Sequence, residues 1–226
     1  MTTVYRAYIE HDGLDAASMD GAALQLRDGG LVLLPTETVY GIGVSVEAYR
    51  DCSPMLPCEG SGYRRIFSLK QRELTQTVPW LVGGADALDR YGRRVPGQIR
   101  ALADACWPGA LTVVVEASDE VPEFMRAADG TVALRASASP VVAALIERCG
   151  SPLAVTSANT HGLPAPSSFA DVEARVLEGV DVAIDAGVTA CRDASSIVAV
   201  RDGRLQVLRE GALTAKKLLA IAGETA

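Results

Sequence analysis

Ser157 and Asn159 stand two residues apart behind the apolar run Leu153-Ala154-Val155, and an extended backbone there turns a hydroxyl and a carboxamide to one side. Such a pair offers hydrogen bonds to a polar ligand; an Asx or Ser turn is the plainer use of the same residues. A second segment repeats the design, with Leu31-Val32-Leu33-Leu34 running into Pro35-Thr36-Glu37-Thr38-Val39-Tyr40-Gly41. Loops behind strand ends are where α/β proteins gather ligand-binding side chains, so the two segments are expected to share one pocket. Lys70-Gln71-Arg72 supplies two cations within about one helical turn, which suits phosphate and equally suits a solvated helix face. Neither G-x-x-x-x-G-K-S/T nor G-x-G-x-x-G occurs, so a nucleotide would have to be held by side chains and scattered amides.

The elements that position these groups alternate between helix and strand. Residues 15–26 read as a helix with Asp15 as N-cap and Gly29-Gly30 as its stop, and strand 31–34 follows at once. Residues 49–62 hold Pro54, Pro57, Gly60 and Gly62 without any period and read as a surface loop; residues 64–72 read as a helix. Strands are expected at 78–82, 111–116 and 131–135, with helices at 85–91 and 98–106. Ser139-Pro140 opens a helix that runs to Cys149 before Gly150. Ser168-Phe169-Ala170-Asp171 has the form of a capping box opening a helix to Glu178, and residues 180–184 return as a strand. Asp202-Gly203 between 195–200 and 205–208 is a hairpin signal, and a last helix starts near Thr214. This order predicts one α/β domain over 1–226: a twisted mixed β-sheet with flanking helices and a concave ligand-binding face.

Composition narrows the function. The 226 residues carry a net charge of −7 and are 49% hydrophobic, 22% charged and 5% aromatic, so a strong sequence-independent grip on nucleic acid and base-stacking platforms are disfavoured. Two local basic groups run against the net charge: Arg64, Arg65, Lys70 and Arg72, then Arg90, Arg93, Arg94 and Arg100, the second of which reads most simply as a solvated surface. Five cysteines without C-x-x-C spacing and two histidines, His11 and His161, draw no familiar zinc pattern and suit a reduced, cytoplasmic protein. The opening Met1-Thr2-Thr3-Val4-Tyr5 lacks the basic and apolar regions of a signal peptide, and no apolar run nears the ~18 residues needed to cross a bilayer, so export and membrane insertion are not expected.

Joined with Trp107-Pro108-Gly109-Ala110-Leu111-Thr112, Val132-Ala133-Leu134-Arg135, Ser195-Ser196-Ile197-Val198 and Leu208-Arg209-Glu210-Gly211-Ala212, these segments resemble, in order and spacing, the YrdC-like family of threonylcarbamoyl-AMP synthases. The likeness runs over roughly residues 24–213. It implies a single concave domain that joins L-threonine, bicarbonate and ATP into threonylcarbamoyl-AMP with release of pyrophosphate, for a separate transferase complex acting on tRNA. It also implies that Lys70, Arg72, Ser157 and Asn159, with Ser195 and Arg209, contact the nucleotide, Lys70 and Arg72 doing the catalytic work. Thr36, Thr38, Thr112 and Arg135 would hold the amino acid, and Mg2+ would accompany ATP. Glu37 either positions that magnesium through water or caps a turn or pairs with an arginine. Trp107 either packs over adenine or belongs to the core, and Arg209 is either a ligand contact or an ion-pair partner.

The chain departs from the family's pattern in four places. Glu73 replaces the common proline after K-x-R, Ala136-Ser137-Ala138-Ser139-Pro140 replaces a proline and histidine after the arginine, and His161 replaces a serine. His161 is either a substrate contact or a surface substitution. The 49–62 segment, with Cys52 and Cys58, is longer than the family's connection and reads as an insertion. These departures leave two alternatives: a related carbamoyl-adenylate enzyme with another amine or carbamoyl substrate, or a non-catalytic nucleotide- or RNA-binding module.

Overall fold

The computed structural model describes residues 2–7 and 15–224; His11 lies outside them. Among the described residues eleven strands form one mixed sheet. Its left half, in spatial order, is β1 (Thr3–Arg6), β9 (Val182–Asp185), β2 (Val32–Pro35), β3 (Tyr40–Ser45) and β8 (Leu153–Ser157). A two-residue strand, β4 (Trp80–Leu81), joins it to the right half: β7 (Thr131–Arg135), β6 (Leu111–Ala117), β10 (Ser196–Arg201) and β11 (Arg204–Arg209). β5 (Gly92–Arg93) pairs with β6 off this path. β4 runs antiparallel to β8 and parallel to β7, so the two halves meet across a hinge only two residues deep.

Period-two alternation assigns each strand's side chains to two faces. Val32, Leu34, Leu81, Val155 and Ile184 pack with α1 (Ala16–Arg27) and α5 (Pro140–Cys149) on one face. Leu31, Leu33, Ile42, Trp80 and Ala183 pack on the other with α2 (Gly62–Lys70), α3 (Ala87–Tyr91) and α4 (Gly97–Cys106). Two further helices, α6 (Ala174–Glu178) and α7 (Ala215–Ile221), close that second face through Val176 and Leu218. Burying each large aliphatic side chain contributes ~1.5–3 kcal/mol, so central strands apolar on both faces anchor the fold.

Several expected caps form. Asp15 accepts the Ser18 amide at α1, and Ser139 accepts the Val142 amide at the head of α5 while donating to Pro35 O, so it is a buried structural residue. Other expectations need correction. Residues 49–52 belong to a 3-10 turn, Glu47–Cys52, with Tyr49 buried, and Gly62 is the first residue of α2, so the surface loop shrinks to 53–61. Gly62 is buried because a side chain there would strike the Gly29 carbonyl. α2 stops at Lys70 rather than continuing to 72, because Gln71 turns left-handed at φ 51°. Ser168 donates its hydroxyl to the Asp171 carboxylate instead of capping amides, so the segment splits into a 3-10 turn, Phe169–Asp171, and the short α6.

β3 escaped a sequence reading because its two glycines interrupt any hydrophobic period. They are there for β8: a Cβ on Gly43 would lie 2.5 Å from Val155 Cγ2 and 2.6 Å from Ala154 O. Gly43→Ala is therefore expected to push β3 off β8 and to destabilise by ~1–3 kcal/mol, read as a lowered urea midpoint at unchanged m-value. An unshifted midpoint would show that the two strands have room to spare.

Candidate functional site

Lys70 ends α2 with 3% of its surface exposed and, among the described residues, no carboxylate within ion-pair distance. Its ammonium is instead surrounded by oxygens from the loop after β8: Ser157 O at 2.6 Å, Asn159 O at 2.9 Å, Asn159 Oδ1 at 3.2 Å and Ser157 Oγ at 3.4 Å. Asn159 is oriented for this by donating Nδ2 to Thr160 O and Leu163 O, which leaves Oδ1 facing the cation. Burial chiefly, then the Arg72 charge, pushes the Lys70 ammonium down to about 8, with Glu173 acting in the opposite sense. The S-x-N spacing and the lysine thus belong to one structure.

The threonine turn is built just as locally. Thr36 Oγ1 donates to Val39 O at 2.7 Å and accepts the Thr38 and Val39 amides. With its proton committed, Thr36 Oγ1 must accept from Thr38 Oγ1 at 2.8 Å, and Thr38 Oγ1 in turn accepts from Arg135 Nη2 at 2.9 Å. Both hydroxyl protons are spent, so Thr38 offers the cavity a lone pair. Arg135 also donates Nε to Gly109 O and stands 2.6 Å from Glu37 Oε1, with the two side chains only 8% and 10% exposed. That contact is an ion pair without hydrogen-bond alignment, since Glu37 Oε1 has no aligned donor; Ser137 supplies one to Oε2.

Across β4, Thr112 Oγ1 and Ser195 Oγ lie 2.9 Å apart, and Arg209 grips Ser195 O through Nε at 3.0 Å and Nη2 at 2.7 Å. Arg209 has no acidic partner among the described residues, and burial followed by the nearby Arg135 charge holds its pKa below the ordinary arginine value. A cavity of about 330 Å3 collects these groups. It is lined by Thr36, Thr38, Ser157 and Asn159 from the left half and by Thr112, Arg135, Ser195 and Arg209 from the right. No Asp or Glu among the described residues lines it. The shared pocket expected from two strand ends is present, though four of its polar groups come from the other half of the sheet.

Lys70 reaches this cavity only through the Ser157 and Asn159 oxygens that it holds. Arg72 lines a different depression with Arg64 and Arg65, and its guanidinium is turned back onto Gln76 and the Thr77 carbonyl. Glu73 is exposed and accepts a bond from Thr75. Of the open choices, Glu37 pairs with an arginine, and Trp107 packs against the core with Nε1 on Leu111 O. Arg209 faces the cavity, and His161 is exposed and does not line it. The second basic group is neutralised in place, with Arg93 on Asp119, Arg94 on Glu116 and Arg100 on Asp89. Sequence reasoning missed the apolar wall of Val39, Pro79, Leu81, Val155 and Ile197, because nothing distinguishes wall residues from core before the sheet is assembled.

Among the described residues no group of three or more His, Cys, Asp or Glu side chains is placed to hold a metal ion. With Glu37 committed to Arg135 and Ser137, the residues present do not fit a magnesium site built by the protein. Among the described residues no helix is long and apolar enough to cross a membrane.

Comparison with known proteins gives the family and the fold. The chain is 30% identical to a threonylcarbamoyl-AMP synthase of Pyrococcus abyssi over 90% of its own length but only 56% of that protein, so it spans little more than half of that relative. It is also 30% identical to a threonylcarbamoyl-AMP synthase of Xanthomonas axonopodis pv. citri, covering 87% of this chain and 99% of that one. The crystal structure of P. abyssi Sua5 complexed with L-threonine superposes with a TM-score of 0.84 at 28% identity, over 99% of this chain and 62% of that one. E. coli YciO shares the fold at 22% identity, with a TM-score of 0.82 over 97% of this chain and all of that one. Residues 24–211 match the Sua5/YciO/YrdC model, described as telomere recombination, and the chain belongs to that family.

Proposed function

We propose that this chain is a threonylcarbamoyl-AMP synthase that joins L-threonine, bicarbonate and ATP and releases pyrophosphate. The observation that carries the reading is a cavity lined by two arginines and no acid, with a caged lysine behind it whose charge only neutral oxygens surround. Neutral oxygens solvate a cation without cancelling it, so net positive potential remains for an anionic ligand. The relatives' names and the threonine complex of the P. abyssi protein support the same assignment.

In this reading Ser157, Asn159, Ser195 and Arg209 face the nucleotide, with Lys70 acting from behind the Ser157 and Asn159 oxygens, while Thr36, Thr38, Thr112 and Arg135 hold threonine; Arg72, turned onto Gln76 and the Thr77 carbonyl in another depression, takes no part. Bicarbonate gives carbon dioxide and hydroxide; the threonine amine attacks the carbon, and its proton converts the hydroxide to water. A carbamate oxygen then attacks the α-phosphorus, the bond to the bridging oxygen breaks, and pyrophosphate leaves. Each reactant brings its own reactive group, so the protein's work is to bring like-charged oxygens together and to stabilise the departing charge. Magnesium enters bound to the triphosphate. The product serves a transferase complex that modifies tRNA. We read 1–226 as one such domain with an insertion at the 49–62 segment, and its five free thiols suit the cytosol.

Pyrophosphate release is expected to require both threonine and bicarbonate; release indifferent to either would refute the assignment. Lys70→Ala should lower kcat/KM by about 10²–10³-fold, the size of loss seen when one preorganised donor is removed, with the circular dichroism spectrum retained. Affinity for ATP should be level below about pH 7 and fall as pH rises through about 8, because the free protein's caged ammonium is then losing the charge that holds the Ser157 and Asn159 oxygens and adds positive potential behind the cavity. Calorimetric titrations from pH 6 to 10 would show it, and a flat profile would remove Lys70 from the phosphate site.

A further inference from the structure

We propose that Glu173 is a positioning residue that holds the loop after β8 in the shape that cages Lys70; this rests on the nucleotide-binding reading above. Glu173 occupies the N-cap position of α6, yet its side chain caps no amide of that helix and meets it only as an ion pair with Arg175 at 3.8 Å. Both carboxylate oxygens reach Thr160 instead: Oε1 accepts the Thr160 amide at 2.8 Å and the hydroxyl at 2.9 Å, and Oε2 accepts the hydroxyl at 2.9 Å. Arg175 Nη2 donates to the same hydroxyl at 2.6 Å, so Thr160 Oγ1 gives its proton to Glu173 and takes one from Arg175.

The consequence passes along the loop. With its amide and hydroxyl fixed, Thr160 presents its carbonyl to Asn159 Nδ2 at 2.9 Å, which turns Asn159 Oδ1 toward Lys70. The next amide, of His161, donates to Lys70 O at 2.8 Å and ties the loop to the end of α2. α6 and α2 also pack directly, with Leu69 against Gly179. The loop is therefore held between two helices, at Thr160 by Glu173 and at Asn159 by Lys70. Both attachments are charge-assisted, by a carboxylate at Thr160 and an ammonium at Asn159, and such bonds are roughly twice as strong as neutral ones. The two Thr160 bonds, from amide and hydroxyl, hold the Glu173 carboxyl below the usual range, so it is ionised at neutral pH. Glu173 does not line the cavity, so its influence on a ligand runs through the loop.

The experiment compares Glu173→Ala, Glu173→Gln, Thr160→Val and the Glu173→Ala/Thr160→Val pair with the parent chain, by ATP calorimetry, steady-state kinetics and amide exchange. Glu173→Ala is expected to weaken ATP binding and raise the KM for ATP about tenfold, with the KM for threonine changed less than about twofold. Glu173→Gln keeps an acceptor for the Thr160 amide and should recover most of that loss. In the double variant Thr160→Val should add little to Glu173→Ala, since residues sharing one contact are not additive. ATP affinity unchanged in Glu173→Ala, or equal losses for ATP and threonine together with a lowered Tm, would overturn the proposal. If the parent itself binds no ATP, the assigned function fails, and the exchange rates of the Thr160 and His161 amides still decide this claim: acceleration in Glu173→Ala upholds the clamp, and unchanged rates refute it.

Discussion

The structure turns on a buried ammonium that has no paired carboxylate among the described residues. Lys70 is sequestered at the end of α2, and the loop after β8 must supply backbone and side-chain oxygens in its place. An ammonium has three protons to give, so four nearby oxygens satisfy its hydrogen bonds without neutralising its charge. Arg135 is treated in the opposite way, paired with a carboxylate and flanked by a threonine hydroxyl. The site thus contains two kinds of cation: Lys70 and Arg209, held by neutral oxygens, and Arg135, whose charge is largely balanced at close range. On the proposed reading the first belongs to phosphate, and the second belongs to an amino acid that carries charges of its own.

Placement of these groups depends on the sheet more than on any single loop. β4 is two residues long, and it is where the antiparallel β3–β8 side gives way to β7 and β6. Groups from strand ends on both sides open onto the cavity there, and Arg135 spans the join by donating to Thr38. The close packing of β3 on β8 that glycines permit is part of the same arrangement, since Gly41 and Val155 both line the cavity. The chain's departures from its family's pattern also find places in the fold. Ser137 donates to Glu37, Ser139 heads α5 and ties to Pro35 O, and Glu73 points to an exposed threonine.

The sequence alone determined most of the element order, β1, β3 and β5 excepted, both apolar strands that end in polar turns, the caps at Asp15 and Ser139, and the polar residues that meet in the cavity, Lys70 and Arg72 excepted. Those signals are local: a hydrophobic period, a cap and a turn each depend on neighbours a few residues away. Tertiary structure decided the rest. That α2 ends at Lys70, that Ser168 serves Asp171 rather than a helix, and that Glu37 goes to Arg135 were settled by competition among partners distant in the chain. Glu173 and Thr160 are 13 residues apart, and either alone reads as an ordinary surface residue. A hydrogen bond or an ion pair depends on distance in space, and that distance exists only once the sheet has closed around β4.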